Sequence, residues 1–229
     1  MLGKADVDYD RMLMQLDSTT GAYDDVGQQS KGHKGATLNY RKIQQLEFDP
    51  LFLRYMQQPI FEDICRRTYG DGPVACYRAM FMNKPAGQGT ELPWHQDRWS
   101  HLDRDPQITL WLALDPATAD NGGVRIIPGN HHVLFNPEHP AGFLRDEQTR
   151  MLDERNAQWL LLEPGECVLL HNWLLHASGV NRSTISRRAF SVCYMDAHTR
   201  TRNGEATDFP VIFGHHALDP ATLATASAG

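Results

Sequence analysis

Residues 94–99 read Trp-His-Gln-Asp-Arg-Trp, which sets the imidazole of His95 and the carboxylate of Asp97 two positions apart. Alternate residues of an extended strand share a face, so these two side chains can converge on one point. A neutral nitrogen and an anionic oxygen from one short segment suit a divalent metal, but two donors do not complete a site. The best candidate for the third is His176, in the run Leu-Leu-His-Ala-Ser-Gly-Val-Asn-Arg over 174–182, with His171 as its competitor. Two histidines and one carboxylate on one side of a metal leave the opposite positions open, the arrangement associated with non-haem Fe(II) oxygenases. An isolated His-x-Asp also arises as a strand-end histidine bonded to its neighbour, so the flanking elements have to carry the distinction.

Several strands could position such a site. Gln107, Thr109, Trp111 and Ala113 alternate with Ile108, Leu110, Leu112 and Leu114; the aliphatic set has to pack, which turns Thr109 and Trp111 toward a cavity. From Val74 the pattern also has period two, and Val74, Cys76, Arg78, Met80 and Met82 are expected on one face. Arg78 and Met80 there could line a cavity, or Arg78 could pair with a carboxylate at the rim. Cys167–Leu170 forms a short apolar strand leading to His171 and His176. Further on, Arg187, Ala189, Ser191 and Cys193 are small or slightly polar, whereas Arg188, Phe190, Val192 and Tyr194 are bulky. Parity therefore sends Arg187 to the cavity, where its guanidinium can grip a carboxylate through two parallel charge-assisted hydrogen bonds, and leaves Arg188 at the rim.

With these motifs in order, the chain resembles the phytanoyl-CoA dioxygenase family of Fe(II)- and 2-oxoglutarate-dependent oxygenases. The resemblance rests on His95-x-Asp97, Trp111-Leu-Ala-Leu-Asp115 followed by Asn121-Gly-Gly123, Ile127-Pro-Gly-Asn-His131, and His176-x-Ser178-Gly179-x-Asn181 with Arg187 after it, over roughly residues 74–196. It implies a mainly β fold, a double-stranded β-helix or jelly roll with flanking helices. It favours His176 over His171 as third ligand, since Ser178, Gly179, Asn181 and Arg187 stand at the family's offsets, and it assigns His131 to a structural turn. The implied cofactors are Fe(II), 2-oxoglutarate as co-substrate, and O2. Arg187, with Ser178 or Thr109, would fix the distal carboxylate of 2-oxoglutarate, and Trp111 and Met80 would line its site. Succinate and carbon dioxide would be the co-products. The carboxylate at position 97, which halogenating relatives lack, favours hydroxylation or another oxidation. The substrate is an unidentified small molecule, with Trp94, Trp99, Arg98 and Arg104 expected beside the site.

Composition narrows the remaining classes. The 229 residues suffice for one well-buried domain. With 22 Lys and Arg against 28 Asp and Glu the formal charge is −6, and no basic block marks a nucleic-acid or membrane-surface partner. No apolar run approaches the about 18 residues of a membrane span. Four cysteines without Cys-x-x-Cys spacing read as buried thiols, and a cytoplasmic, reducing location is expected. Oligomeric state is not encoded in any motif.

Along the chain, residues 1–40 are expected as a short helix, carrying Val7, Met12, Leu13 and Leu16, and then a mobile loop. This departs from the family's usual opening strand and helix, so the resemblance does not extend to substrate enclosure. Residues 41–70 are expected to hold buttressing helices: one capped by Asp49-Pro50 and running to Gln58, and one from Pro59 to Gly70 with Ile60, Phe61, Ile64 and Cys65 as its apolar stripe. The jelly-roll core is placed at 74–196, and 217–229 is expected as a frayed tail. Residues 133–158, with a helix around 146–156, read equally as a substrate gate or a solvated insertion. Two other functions fit a set of two histidines and one aspartate: a zinc hydrolase and a non-catalytic jelly-roll binding protein. The former has no need of Arg187.

Overall fold

The computed structural model describes residues 12–15, 29–31, 40–87, 91–203 and 209–226. Two sheets dominate. The larger runs β2 (Gln29–Lys31), β1 (Met12–Gln15), β3 (Tyr40–Gln44), β4 (Val74–Lys84), β11 (Arg187–Asp196), β6 (Ile108–Ala113), β9 (Cys167–His171), with β12 (Val211–Phe213) also pairing with β4. The smaller runs β5 (Leu92–His95), β10 (His176–Ser178), β7 (Val124–Ile126), β8 (Gln158–Trp159). Neighbouring strands are antiparallel throughout, and the strand order with its long crossovers is that of a jelly roll.

The outer face of the large sheet is closed by helices. In α1 (Pro50–Met56), the Asp49 carboxylate accepts the Leu51 amide at 2.9 Å and Pro50 occupies the first turn, where its missing N–H costs nothing. Helix α2 (Pro59–Tyr69) ends at Gly70, whose φ of 80° suits glycine. Leu53, Met56, Phe61 and Cys65 from these helices join Leu110, Phe190, Val192 and Tyr194 in one buried cluster. The Tyr194 hydroxyl, fully enclosed, donates to the Met56 carbonyl at 2.9 Å, so its polar end is satisfied. Ile60, expected in the apolar stripe, is 62 % exposed: the helix turns Phe61 and Cys65 inward and leaves Ile60 on its far side.

Three expectations are overturned. Residues 12–15 and 29–31, expected in a helix and a mobile loop, form strands β1 and β2 that pair with each other, because β3 leaves an edge for β1 to extend; residues 1–11, 16–28 and 32–39 lie outside the described residues. The C-terminal stretch contains α4 (Pro220–Ala226), and Leu218 and Leu223 pack on the main cluster, while the Gln57 amide donates to the Leu218 carbonyl at 2.7 Å. Finally, β4 does not keep one parity. Cys193 faces Arg78 but Tyr194 faces Cys76, so Tyr77 is an extra residue opposite nothing, a β-bulge. Val74 and Cys76 therefore join the outer cluster, whereas Arg78, Met80 and Met82 line the interior.

Candidate metal and co-substrate site

Pairing of β5 with β10 sets His95 directly opposite His176, and two residues past His95 the chain delivers Asp97 to the same point. His95 Nε2 lies 3.8 Å from one Asp97 oxygen, and His176 Nε2 3.9 Å from the other. One ligand atom from each residue falls within 4.8 Å of the others, and among the described residues this is the group of metal-ligating side chains that gathers so closely. Each imidazole is oriented by its own strand: Nδ1 of His95 lies 2.8 Å from the Pro93 carbonyl and Nδ1 of His176 2.9 Å from the Leu174 carbonyl. A carbonyl only accepts, so Nδ1 carries the proton in both rings and the Nε2 lone pair is left for a cation.

Electrostatics favour the same donor forms. Burial, reinforced by the nearby His176 and opposed by Asp97, pushes His95 down to about 3, so it stays neutral. Burial opposes ionisation of Asp97, but His176, His95, Arg78 and Lys42 outweigh it and hold the carboxyl below its usual range. Two imidazole nitrogens and one carboxylate oxygen, with the remaining side open to a cavity, fit a divalent first-row metal.

The surrounding loops hold this trio rigidly. Gln96 points to the opposite side from its neighbours and is fully buried; its amide nitrogen donates to the carbonyls of Val133 and Trp173, and its oxygen accepts the Phe135 amide at 2.7 Å. The Asp97 amide donates to the Asn172 carbonyl at 2.7 Å. Phe143 stacks on the His95 ring with centroids 4.8 Å apart. The expected gate or insertion at 133–158 is thus divided: Ala141 and Phe143 form a wall of the site, while α3 (Asp146–Arg150) and the 3-10 turn Glu154–Asn156 lie outside it.

The triad opens on a cavity of about 170 Å3 whose lining includes Arg187, Trp111, Thr109, Ser178 and Met80. Arg187 is 4 % exposed and its guanidinium lies 5.4 Å from the Trp111 ring centre. The two hydroxyls already have partners: Thr109 donates to the Asn172 side-chain oxygen at 2.7 Å, and Ser178 accepts from Lys84 at 2.7 Å. Arg188 faces outward and makes a two-pronged pair with Asp115 at 2.7 Å on each arm. His171 also lines the cavity, but its Nδ1 accepts the Trp173 amide at 3.1 Å and its ring sits 5.1 Å from His131; it stands outside the close trio.

Of the residues expected beside the site, Trp99 and Arg98 line the cavity. Trp94 does not: strand alternation turns it into a separate apolar cluster, where its indole donates to Glu154 at 3.1 Å. Arg104 is occupied on the surface by Asp196 at 2.6 Å. Lys42 on β3 and Asn172 were not singled out by sequence. Lys42 lies in a strand with no chemical motif. Asn172, whose amide also donates to the Pro106 carbonyl at 3.0 Å, had one signal, a polar residue directly after an apolar strand.

Comparison with known proteins agrees with this fold. The phytanoyl-CoA dioxygenase (PhyH) family model matches residues 10–189. The chain is 29 % identical over 166 residues to a probable phytanoyl-CoA dioxygenase of Caenorhabditis elegans, covering 67 % of this chain and 53 % of that protein. It is 28 % identical to the peroxisomal phytanoyl-CoA dioxygenase of Bos taurus over 177 residues, 72 % of this chain and 52 % of that one. The chain spans about half the length of the curated relatives it matches. Among solved structures, EctD from S. alaskensis with 2-oxoglutarate and 5-hydroxyectoine superposes with a TM-score of 0.62 at 21 % identity, covering 75 % of this chain and 67 % of that one. The non-heme monooxygenase ThoJ gives 0.62 at 23 % identity, covering 85 % and 79 %. These likenesses share the fold, and with the family match over most of its length the chain belongs to the phytanoyl-CoA dioxygenase family.

Proposed function

We propose that this protein is an Fe(II)- and 2-oxoglutarate-dependent oxygenase acting on a small molecule. In this reading His95, Asp97 and His176 hold the iron and Arg187 grips the distal carboxylate of 2-oxoglutarate. The observation that carries it is the coincidence, in one cavity, of three donors with their lone pairs presented and a buried guanidinium. Family membership and the 2-oxoglutarate bound in the EctD structure support the same cofactors.

Bound together, Fe(II) and 2-oxoglutarate would supply an oxidant made from dioxygen, able to take hydrogen from an unactivated carbon while 2-oxoglutarate leaves as succinate and carbon dioxide. The chain supplies position. The Pro93 and Leu174 carbonyls fix both imidazoles, and Trp111 backs the Arg187 guanidinium. Lys84 holds Ser178 in place, and Thr109 and Met80, which line the cavity, would complete the wall around the co-substrate. The carboxylate of Asp97 would take the position that a halide needs and so favours hydroxylation or another oxidation over halogenation.

The four cysteines are all thiols, with Cys65, Cys76 and Cys193 buried as expected but Cys167 exposed at the start of β9, which fits a cytoplasmic location, and no described helix is long and apolar enough to cross a membrane. Anaerobic addition of Fe(II) and 2-oxoglutarate tests the activity: a weak visible charge-transfer band is expected, followed by succinate when air is admitted. The absence of both band and succinate would overturn it.

A further inference from the structure

We propose that Arg78 recognises the primary substrate and that this substrate is a small carboxylate with an apolar body; the proposal rests on the oxygenase reading and deepens it. Arg78 lines two spaces at once, the metal cavity and an outer pocket formed with Tyr77, His101 and Phe209. The β-bulge creates this arrangement, because skipping Tyr77 in the ladder lets two successive side chains, Tyr77 and Arg78, reach the same pocket.

The charge at this position is half-buried and differs in its contacts from other cations nearby. Lys84 is spent on Ser178 and the Gly179 carbonyl, and Arg98 on the Pro137 carbonyl and Asp105. Arg78 instead lies 5.5 Å from the Trp99 ring centre, and its charge acts on the Asp97 carboxylate from beyond ion-pair distance. Around it Trp99 and Phe209 approach Tyr77 with centroids 4.3 and 5.9 Å away. A planar cation framed by aromatic faces suits a planar monoanion attached to an apolar body.

Position separates this cation from the co-substrate's. On the β4–β11 ladder Arg187 faces Lys84 and Arg78 faces Cys193, so their backbones stand about 20 Å apart at the usual rise per residue. One end of the cavity would hold the co-substrate and the other would admit the substrate.

The test titrates 3-phenylpropanoate, octanoate and N-acetylphenylalanine, each beside its primary amide, into the full chain holding Mn(II) and 2-oxoglutarate without oxygen, read by calorimetry. At least one carboxylate is expected to bind about 10-fold or more tightly than its amide. Arg78→Gln should bring it to the amide's level, Arg78→Lys should retain part of the difference, and affinity for 2-oxoglutarate should not change in either. The proposal is overturned if no carboxylate exceeds its amide, if the difference survives in Arg78→Gln, or if that variant loses 2-oxoglutarate. It is also overturned if 3-phenylpropyl phosphate binds more tightly than every carboxylate. A chain that takes up neither Mn(II) nor 2-oxoglutarate defeats the oxygenase reading instead, and the same titration on the metal-free chain still decides the role of Arg78.

Discussion

The two ends of the β4–β11 ladder are built differently. At the Arg187 end the register is regular, alternate residues go cleanly inward or outward, and the guanidinium is almost wholly enclosed beside Trp111. At the Arg78 end an extra residue breaks the alternation, the guanidinium is half-buried against Trp99, and Arg78 lines a second pocket besides the cavity. Regular pairing makes a closed end suited to one fixed co-substrate. The bulge makes an end with a wider set of side chains, Tyr77 and Arg78 both reaching the second pocket. In the proposed reading the same pair of strands would serve constancy and selectivity at once.

The closed end should be the more sensitive to losing its charge. Arg187→Met is expected to weaken 2-oxoglutarate binding by roughly 100- to 1000-fold, the loss of two hydrogen bonds to a charged group, as read by the concentration needed to develop the visible band. An unchanged concentration would move the co-substrate's anchor elsewhere, Arg78 included, and erase the contrast between the ends.

A backbone variant comes next. Gly142 sits at a φ of 71°, and a Cβ there would collide with the Gln96 carbonyl oxygen, between the residues that carry the ligands. Gly142→Ala should cost about 3 kcal/mol of stability by denaturant unfolding and should weaken metal uptake. Full metal affinity in that variant would show that the triad does not depend on the loop at 133–145.

The smallest effect concerns the support behind the open end. Glu47 is 6 % exposed, and burial raises its carboxyl to about 7 despite backbone hydrogen bonds at Glu47 and Ala79, the latter beside the bulge. Its folded value is above its unfolded one, so its contribution to stability is whole below about pH 4.5 and is lost as pH climbs through 7. Glu47→Gln should therefore be more stable than the parent at pH 8 by on the order of 2 kcal/mol, with the difference shrinking toward pH 5. Unfolding curves that stay parallel from pH 5 to 8 would contradict this.

The regular elements were the legible ones. Period two in 187–194 and 107–114 sorted Arg187, Thr109 and Trp111 from Phe190, Val192 and Leu110 because those strands keep register. Asp49-Pro50 and Gly70 marked helix ends because capping is local. The bulge at Tyr77 was not legible, since it exists only relative to β11. Nor was Phe143, brought onto His95 by a bridge between residues far apart in the chain. The strand at 12–15 belongs to the same class: its apolar residues take whichever form β3 offers them.

Metal retention by two histidine variants tests the whole account most directly. His176→Ala should lower Fe(II) affinity by more than about 100-fold, beyond the loss typical of removing an outer partner of a ligand, and should abolish the visible band with 2-oxoglutarate. His171→Ala, which removes a ring outside the trio, should keep both. Retention of iron and band by His176→Ala, with their loss in His171→Ala, would contradict the assignment of the site.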